Sequence, residues 1–256
     1  MRAFVKFRDL ELIWQLAVNE FKLKHRNAFF GYVWSILNPL LLLVTLYVVF
    51  TYVMQLNVPH YQHFLLLGIL VWNYFSEATS NSLSALMENS YLLKKHKVSP
   101  YIFVISSCLS NLVGLLLSFA VFLMLLIVFG IQIKLIALLS IFYMTMLFLL
   151  TIGVSLLVTG AFLNFKDTAH IWSFLLLIGF WLSPIIYSEQ VIPLAIRGIY
   201  MLNPLARIIS HLRNIFIYDY VDLPEQLMIT FILCMSILLF GLFVFDKMSK
   251  DISEKL

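Results

Sequence analysis

The sequence predicts an all-α integral membrane protein. It should have six transmembrane helices, an N-terminal amphipathic interfacial helix, and a re-entrant helical hairpin between the fifth and sixth spans. Three observations carry that reading. Of the 256 residues, 62% are hydrophobic and 12% charged, whereas soluble domains carry about 45–50% apolar and about 25% charged residues. The apolar residues gather in six runs, each near the roughly 20 residues that a membrane helix needs. Lys and Arg are distributed unevenly over the connections between those runs.

The first unit is residues 1–32. Leu10, Ile13, Trp14, Ala17, Val18 and Phe21 recur at helical spacing, with Glu11, Gln15, Asn19, Lys22 and Arg26 on another face. Such a helix lies in a membrane interface with its basic end near anionic headgroups; packing on a partner protein would give the same pattern. No cleavable signal peptide is expected, because the chain up to Arg26 lacks an uninterrupted apolar core.

The second unit, residues 33–245, holds the spans, expected at 33–54, 64–84, 102–129, 135–163, 171–187 and 227–245. The third and fourth are long enough to tilt. Residues 188–226 are too apolar for an ordinary aqueous loop. Pro184 interrupts the end of the fifth span, and Asn203-Pro204 opens a helix with Asn as cap and Pro at its first position. That helix sets Leu205, Ile208, Ile209, Leu212 and Phe216 against Arg207, His211 and Asn214. Two short helices dipping back into the outer leaflet fit this pattern, with their irregular backbone shielded by protein or lining a wet cavity. Residues 246–256 form a tail.

Orientation follows from the charges. With both ends cytoplasmic, 13 of the 17 Lys and Arg fall on the inner side and 4 on the outer. The stretch Lys94, Lys95, His96, Lys97 then lies inside, between the second and third spans, where topology alone would account for it.

Several chemistries are excluded. None of the nine glycines is followed by Lys, so there is no phosphate-binding loop. No His, Asp or Glu cluster suggests a metal or a nucleophile, and a membrane-bound glycosyltransferase would need such a group. Cys108 and Cys234 lie far apart in apolar runs and read as buried thiols. Nothing points to nucleic acid.

The second span carries the least expected carboxylate, Glu77, which should face the bundle or water rather than lipid. At about 100° per residue Asn73, Ser76, Glu77, Ser80 and Ser84 share one face, opposite Val71, Phe75 and Ala78 and flanked by Trp72 and Tyr74. The stripe either lines a hydrated path or pairs with a neighbouring helix.

Five motifs in order carry a resemblance. "KHRNAFFGYVWSILNP" has a basic helix end, then Gly31, Trp34 and Asn38-Pro39; "YLLKKHKVSP" and "NFKDTAHI" follow; "LSPIIYSEQVIP" and "YMLNPLARIISHLRNIF" supply Ser183, Pro184, Tyr187, Asn203, Pro204 and Arg213. Together they resemble the permeases of ABC exporters that move cell-surface polysaccharide, such as O-antigen, capsule or teichoic acid. Lys166 stands where that family more often has Arg.

The resemblance implies a homodimer in the plasma (cell inner) membrane. Two copies of a separate ATPase would hold ATP and Mg, with no cofactor in this chain, and a lipid-linked glycan would be the cargo. Lys94, Lys95, His96 and Lys97 would meet the ATPase. Lys22, Lys24 and Arg26 would receive the lipid pyrophosphate, or else anchor the helix. Asn73, Ser76, Glu77, Ser80, Trp72 and Tyr74 would line the translocation path. Pro184, Tyr187, Asn203, Pro204, Arg207 and Arg213 would form an outer gate. The same architecture exporting a small drug or lipid, and a proton-coupled flippase, are the rival readings.

Overall fold

The computed structural model describes residues 7–25, 31–55, 58–95 and 98–249. Among them the chain is helical throughout, with no strand. Helix α1 is Phe7–His25, α2 is Trp34–Val48 and α3 is Tyr61–Glu88; the short α4, Ser90–Lys95, precedes α5, Tyr101–Val128. Then come α6 (Leu139–Asn164), α7 (Thr168–Leu182), α8 (Leu194–Tyr200), α9 (Pro204–Phe216) and α10 (Pro224–Met248).

Four of these segments are long and apolar enough to cross a membrane: Trp34–Val53, Tyr101–Val128, Leu135–Asn164 and Pro224–Met248. The first gains its length from a π-helical turn, Val49–Val53, that continues α2. The third is α6 with a preceding 3-10 turn, 30 residues in all. At 1.5 Å per residue that is roughly 45 Å, well beyond a hydrocarbon core of about 30 Å.

Helix α3 is the centre of the bundle, packed against α2, α5, α6, α7 and α9. Its first half is mostly apolar, and residues 63–72 are all buried, His63 among them. Its second half is two-faced. Thr79 and Ser82 point into the protein, where Thr79 accepts from Trp172 Nε1 (3.1 Å) and Ser82 from Thr159 (3.2 Å). Asn73, Ser76, Glu77, Ser80 and Ser84 form the less buried side, as the sequence spacing implied.

Helices α6 and α10 approach most closely. A Cβ on Gly241 would collide with the Gly153 carbonyl, and one on Gly153 would lie 2.8 Å from the Leu238 backbone. Small residues at that crossing let two apolar helices touch along their backbones, where lipid offers no hydrophobic drive for association.

Two sequence expectations change here. The fifth run, expected at 171–187, forms a helix of only 15 residues, roughly 22 Å long. Ser183 is extended (ψ 151°) and Pro184 has no N–H to continue the ladder, so the chain turns away at Leu182. The apolar face expected on α1 is split. Ile13 and Ala17 are buried, whereas Leu10 and Trp14 are more than half exposed. One narrow stripe docks on α5, and the other is left to face outward.

Candidate functional site

Polar side chains gather at the two ends of this apolar bundle, around α9 and around the C-terminal part of α1. The α9 end starts from local chain chemistry. Asn203 Oδ1 accepts from the Leu205 N–H at 3.0 Å, capping the helix, and Pro204 fills the first helical position. Leu205, Ile208, Ile209 and Leu212 are buried on one face. The other face is buried too, although it carries Arg207, His211 and Arg213.

Arg213 is 2% exposed, and among the described residues its hydrogen-bond partners are backbone carbonyls rather than carboxylates. Its guanidinium lies 3.3 Å from the centroid of the Phe64 ring. Nε and Nη2 donate to the Phe64 carbonyl at 3.2 and 3.0 Å, Nη2 also to that of Ile185 at 2.8 Å, and Nη1 to that of Pro184. Those last two carbonyls follow the broken end of α7 and lack helical partners, the usual state of a helix C-terminus. A planar fork of five donors can serve three carbonyls at once, which an ammonium cannot. Gly68 is required beside it, since a Cβ there would sit 2.7 Å from Nη2. One side chain thus ties α3, the turn after α7 and α9 together.

Arg207 ties α9 to α10. Nε donates to Thr230 Oγ1 (2.9 Å), Nη2 to the Gln226 side chain (2.5 Å) and backbone (3.2 Å), and Nη1 to the Met201 carbonyl (3.3 Å). His211 stacks on the Tyr143 ring at 4.9 Å and bridges Asp222 (2.5 Å) to Thr230 (3.1 Å). Asn214 Nδ2 reaches both Asp222 oxygens, at 3.1 and 3.2 Å. Burial alone would push the Asp222 carboxyl up. The hydrogen bonds from His211 and Asn214 and the nearby positive charge outweigh it and hold the group below its ordinary range. The network forms one wall of an open polar cavity of about 910 Å³. Tyr187 donates to the Trp181 carbonyl (3.0 Å) and lies 3.4 Å from the Tyr200 hydroxyl, linking the end of α7 to α8.

The α1 end is built differently. Lys24 Nζ lies 2.7 Å from Glu77 Oε2 and donates to Asn111 Oδ1 at 3.2 Å. Asn81 donates to the same oxygen at 3.0 Å, and Asn111 Nδ2 to the Ser107 carbonyl at 2.8 Å. The Ser107 hydroxyl donates to Glu20 Oε1 at 2.8 Å. Burial pushes the Glu20 carboxyl up against the pull of that hydrogen bond. The Lys24 and Glu77 side chains are 43% and 48% exposed, so their attraction is screened and worth about 0–1 kcal/mol.

The sequence-predicted residues divide accordingly. Of the proposed path, Asn73, Ser76, Glu77 and Ser80 share the less buried face of α3, and Asn73 and Glu77 line a small cavity with Lys24 and Asn111. Glu77 has a pairing partner, so its charge alone does not call for a water-filled path. Trp72 and Tyr74 are buried, with Trp72 edge-on to Phe180 at 5.9 Å. Tyr74 still lines that small cavity beside Asn73 and Glu77, whereas Trp72 lies on the part of α3 that α7 covers. Lys22 is exposed and Lys24 turns inward to Glu77, so the structure does not gather them into one basic site; Arg26 is outside the described residues. Lys94 and Lys95 end α4, and Lys95 donates to the Tyr91 hydroxyl at 3.0 Å. His96 and Lys97 are outside the described residues.

Sequence reasoning missed Asn111 and Ser107, although Ser107, Asn111, Gly114 and Ser118 recur at spacings of three and four along an otherwise apolar helix. It also missed Asp222, Gln226 and Thr230, whose partners on α9 lie up to 23 residues away.

A family model described as ABC-2 type transporter matches residues 11–217. The O-antigen export system permease protein RfbA of Klebsiella pneumoniae is 28% identical over 252 residues, covering 95% of this chain and 94% of that protein. The O-antigen export system permease protein RfbA of Myxococcus xanthus is 25% identical over 262 residues, covering 100% of this chain and 98% of its own length.

Proposed function

The chain belongs to the ABC-2 type transporter family, and from that premise we propose that it is the membrane permease subunit of an ATP-driven exporter of lipid-linked O-antigen polysaccharide. The observation that carries the reading is the end-to-end similarity to O-antigen export permeases, at least 94% of either chain in each case. No separate region of this chain is left to carry a different activity.

In this reading α3 and α7 complete six spans. Helix α3 packs against α2, α5, α6, α7 and α9 and its mid-helix carboxylate, Glu77, is paired by Lys24, and α7 reaches across with the turn that follows it. Both termini are cytoplasmic, and α8 and α9 form the re-entrant outer segment. The service that Arg213 gives the Pro184 and Ile185 carbonyls supports this, since irregular backbone at membrane depth must be satisfied by protein. Helix α7 has no buried residue, and Ile171, Phe174 and Trp181 face outward. That surface supports pairing with a second copy of the chain. ATP and Mg bind on two partner ATPases, which press on α4 and its basic residues. The drug-export reading has no observation in its favour.

The test is genetic and chemical. Cells lacking this chain should lose surface O-antigen and accumulate the lipid-linked polymer inside. The wild-type chain should restore export only beside a catalytically competent ATPase. Normal surface glycan without the chain, or with a dead ATPase, would contradict the proposal.

A further inference from the structure

The polar cavity at the α9 end has no role in the arrangement so far. At about 910 Å³ it is within the range of small-molecule sites, about 300–1,000 Å³. Its rim carries two aromatic rings, Tyr218 and Tyr220, 46% and 51% exposed. The loop that bears them is pinned. The Tyr218 and Tyr220 N–H groups donate to the Arg213 and Asn214 carbonyls at 3.2 and 2.8 Å. Asp219 between them takes a left-handed backbone (φ 55°) and pairs with Lys134, and Asp222 is held from α9. Such a loop is ordered before any ligand arrives, which lowers the entropic cost of binding.

The polar groups on the walls are largely engaged, and the Arg213 guanidinium gives its N–H groups to the Phe64, Pro184 and Ile185 carbonyls. Glu189 pairs with Arg197 at 3.5 Å, Asp222 with His211, and Arg207 with Gln226 and Thr230. A phosphate or carboxylate bound directly would have to displace hydrogen bonds that these cations already make. The Ser210 hydroxyl and the Gln190 amide also line the cavity, without hydrogen-bond partners among the described residues. Exposed tyrosine faces beside uncommitted neutral donors and acceptors fit one chemical class. A pyranose offers an apolar C–H face to an aromatic ring and a fringe of hydroxyls to amide and hydroxyl groups.

We propose that this cavity is a saccharide subsite on the outer side of each protomer, taking a neutral, hydroxyl-rich segment of the glycan as it leaves the membrane. The inference rests on the export reading for its biological ligand, but the binding chemistry is testable without it. A segment held there would resist slipping back between ATPase cycles.

The experiment uses the full-length permease with its ATPase partner in lipid nanodiscs. Maltotetraose is the neutral probe and glycerol 3-phosphate the charged one, both read by saturation-transfer NMR. Two variants alter the cavity by opposite means. Tyr218→Ala/Tyr220→Ala removes the rings. Gly198→Trp fills space, because a Cβ at Gly198 meets nothing within 4 Å. Elution volume and ATPase activity report whether each variant folds. Wild type should show transfer to the maltotetraose ring C–H protons, and both variants should weaken apparent affinity about tenfold, the first by losing aromatic contact area and the second by occupying the space the sugar would take. No maltotetraose signal in wild type, a signal unchanged in both variants, or a tyrosine-dependent signal from glycerol 3-phosphate alone would overturn the subsite. Export measured in cells is a separate readout. Intact export without maltotetraose binding sinks the subsite and spares the function, and tyrosine-dependent binding without export does the reverse.

Discussion

The two ends of the bundle use the same kind of side chain to opposite effect. Around α9, Arg213 is buried, serves three backbone carbonyls and lies on an aromatic ring. Around α1, Lys24 and Glu77 form a half-exposed pair between two helices. Removing a group of the first kind strands buried polar atoms, at about 1–3 kcal/mol for each. Removing a group of the second kind lets water replace it. The α9 end is therefore a fixed joint, and the α1 end a contact that can exchange. A transporter needs both, one end that holds its helices in place and another that yields as helices move.

Substitutions at five positions can break or sharpen the contrast, taken from the largest effect to the smallest. Arg213→Met leaves the Phe64, Pro184 and Ile185 carbonyls without their donor and should cost about 3–5 kcal/mol. A large drop in the midpoint of thermal unfolding in detergent is the readout. Arg213→Lys should recover little, because an ammonium cannot form the fork.

Asp222→Asn should cost about 1–2 kcal/mol at neutral pH. The Asp222 carboxyl is held below its ordinary value of 3.8. Its stabilisation is therefore present above that value and lost as pH falls through the lower folded one. The variant should lose less stability than wild type on acidification below pH about 4, which denaturant midpoints across pH would show.

Glu20 works in the opposite sense. Burial raises its carboxyl above 4.5, so its contribution is complete below that value and declines as pH rises through the raised one. Glu20→Gln should strengthen docking of α1 at neutral pH by up to about 1 kcal/mol. Amide exchange across α1 measures it, and faster exchange in the variant would count against the assignment.

Smallest of all, Lys24→Gln and Glu77→Gln should each shift thermal stability by less than about 1 kcal/mol. Their double-mutant cycle should still return a coupling between them. A cost as large as that of Arg213→Met would mean that the Lys24–Glu77 pair is structural as well.

How much of this was legible depended on whether the signal was local. Periodicity placed α5 within a residue at each end, and Asn203-Pro204 marked the start of α9, because capping is written in adjacent residues. The stripe of Asn73, Glu77 and Ser80 was visible too, yet not its partner. Lys24 lies 53 residues from Glu77, in a helix whose charges read as interfacial. Pro184 was recognised as an interruption, but the 15-residue α7 depends on what replaces the lost helical bonds. That is Arg213, 29 residues further on and bonded to backbone. Backbone carbonyls leave no mark in a sequence, so a cation that serves them looks unpaired. The split face of α1 was hidden for a related reason, since Leu10 and Ile13 are equally apolar although one faces outward and the other docks on α5.

Hydrogen–deuterium exchange on the permease–ATPase complex, nucleotide-free and trapped with ATP, tests the central contrast most directly. Peptides from 204–216 should stay protected in both states, and those from 7–25 should exchange faster and change protection between them. Equal exchange at the two ends, or a nucleotide response confined to 204–216, would contradict the division into a fixed joint at α9 and an exchangeable contact at α1.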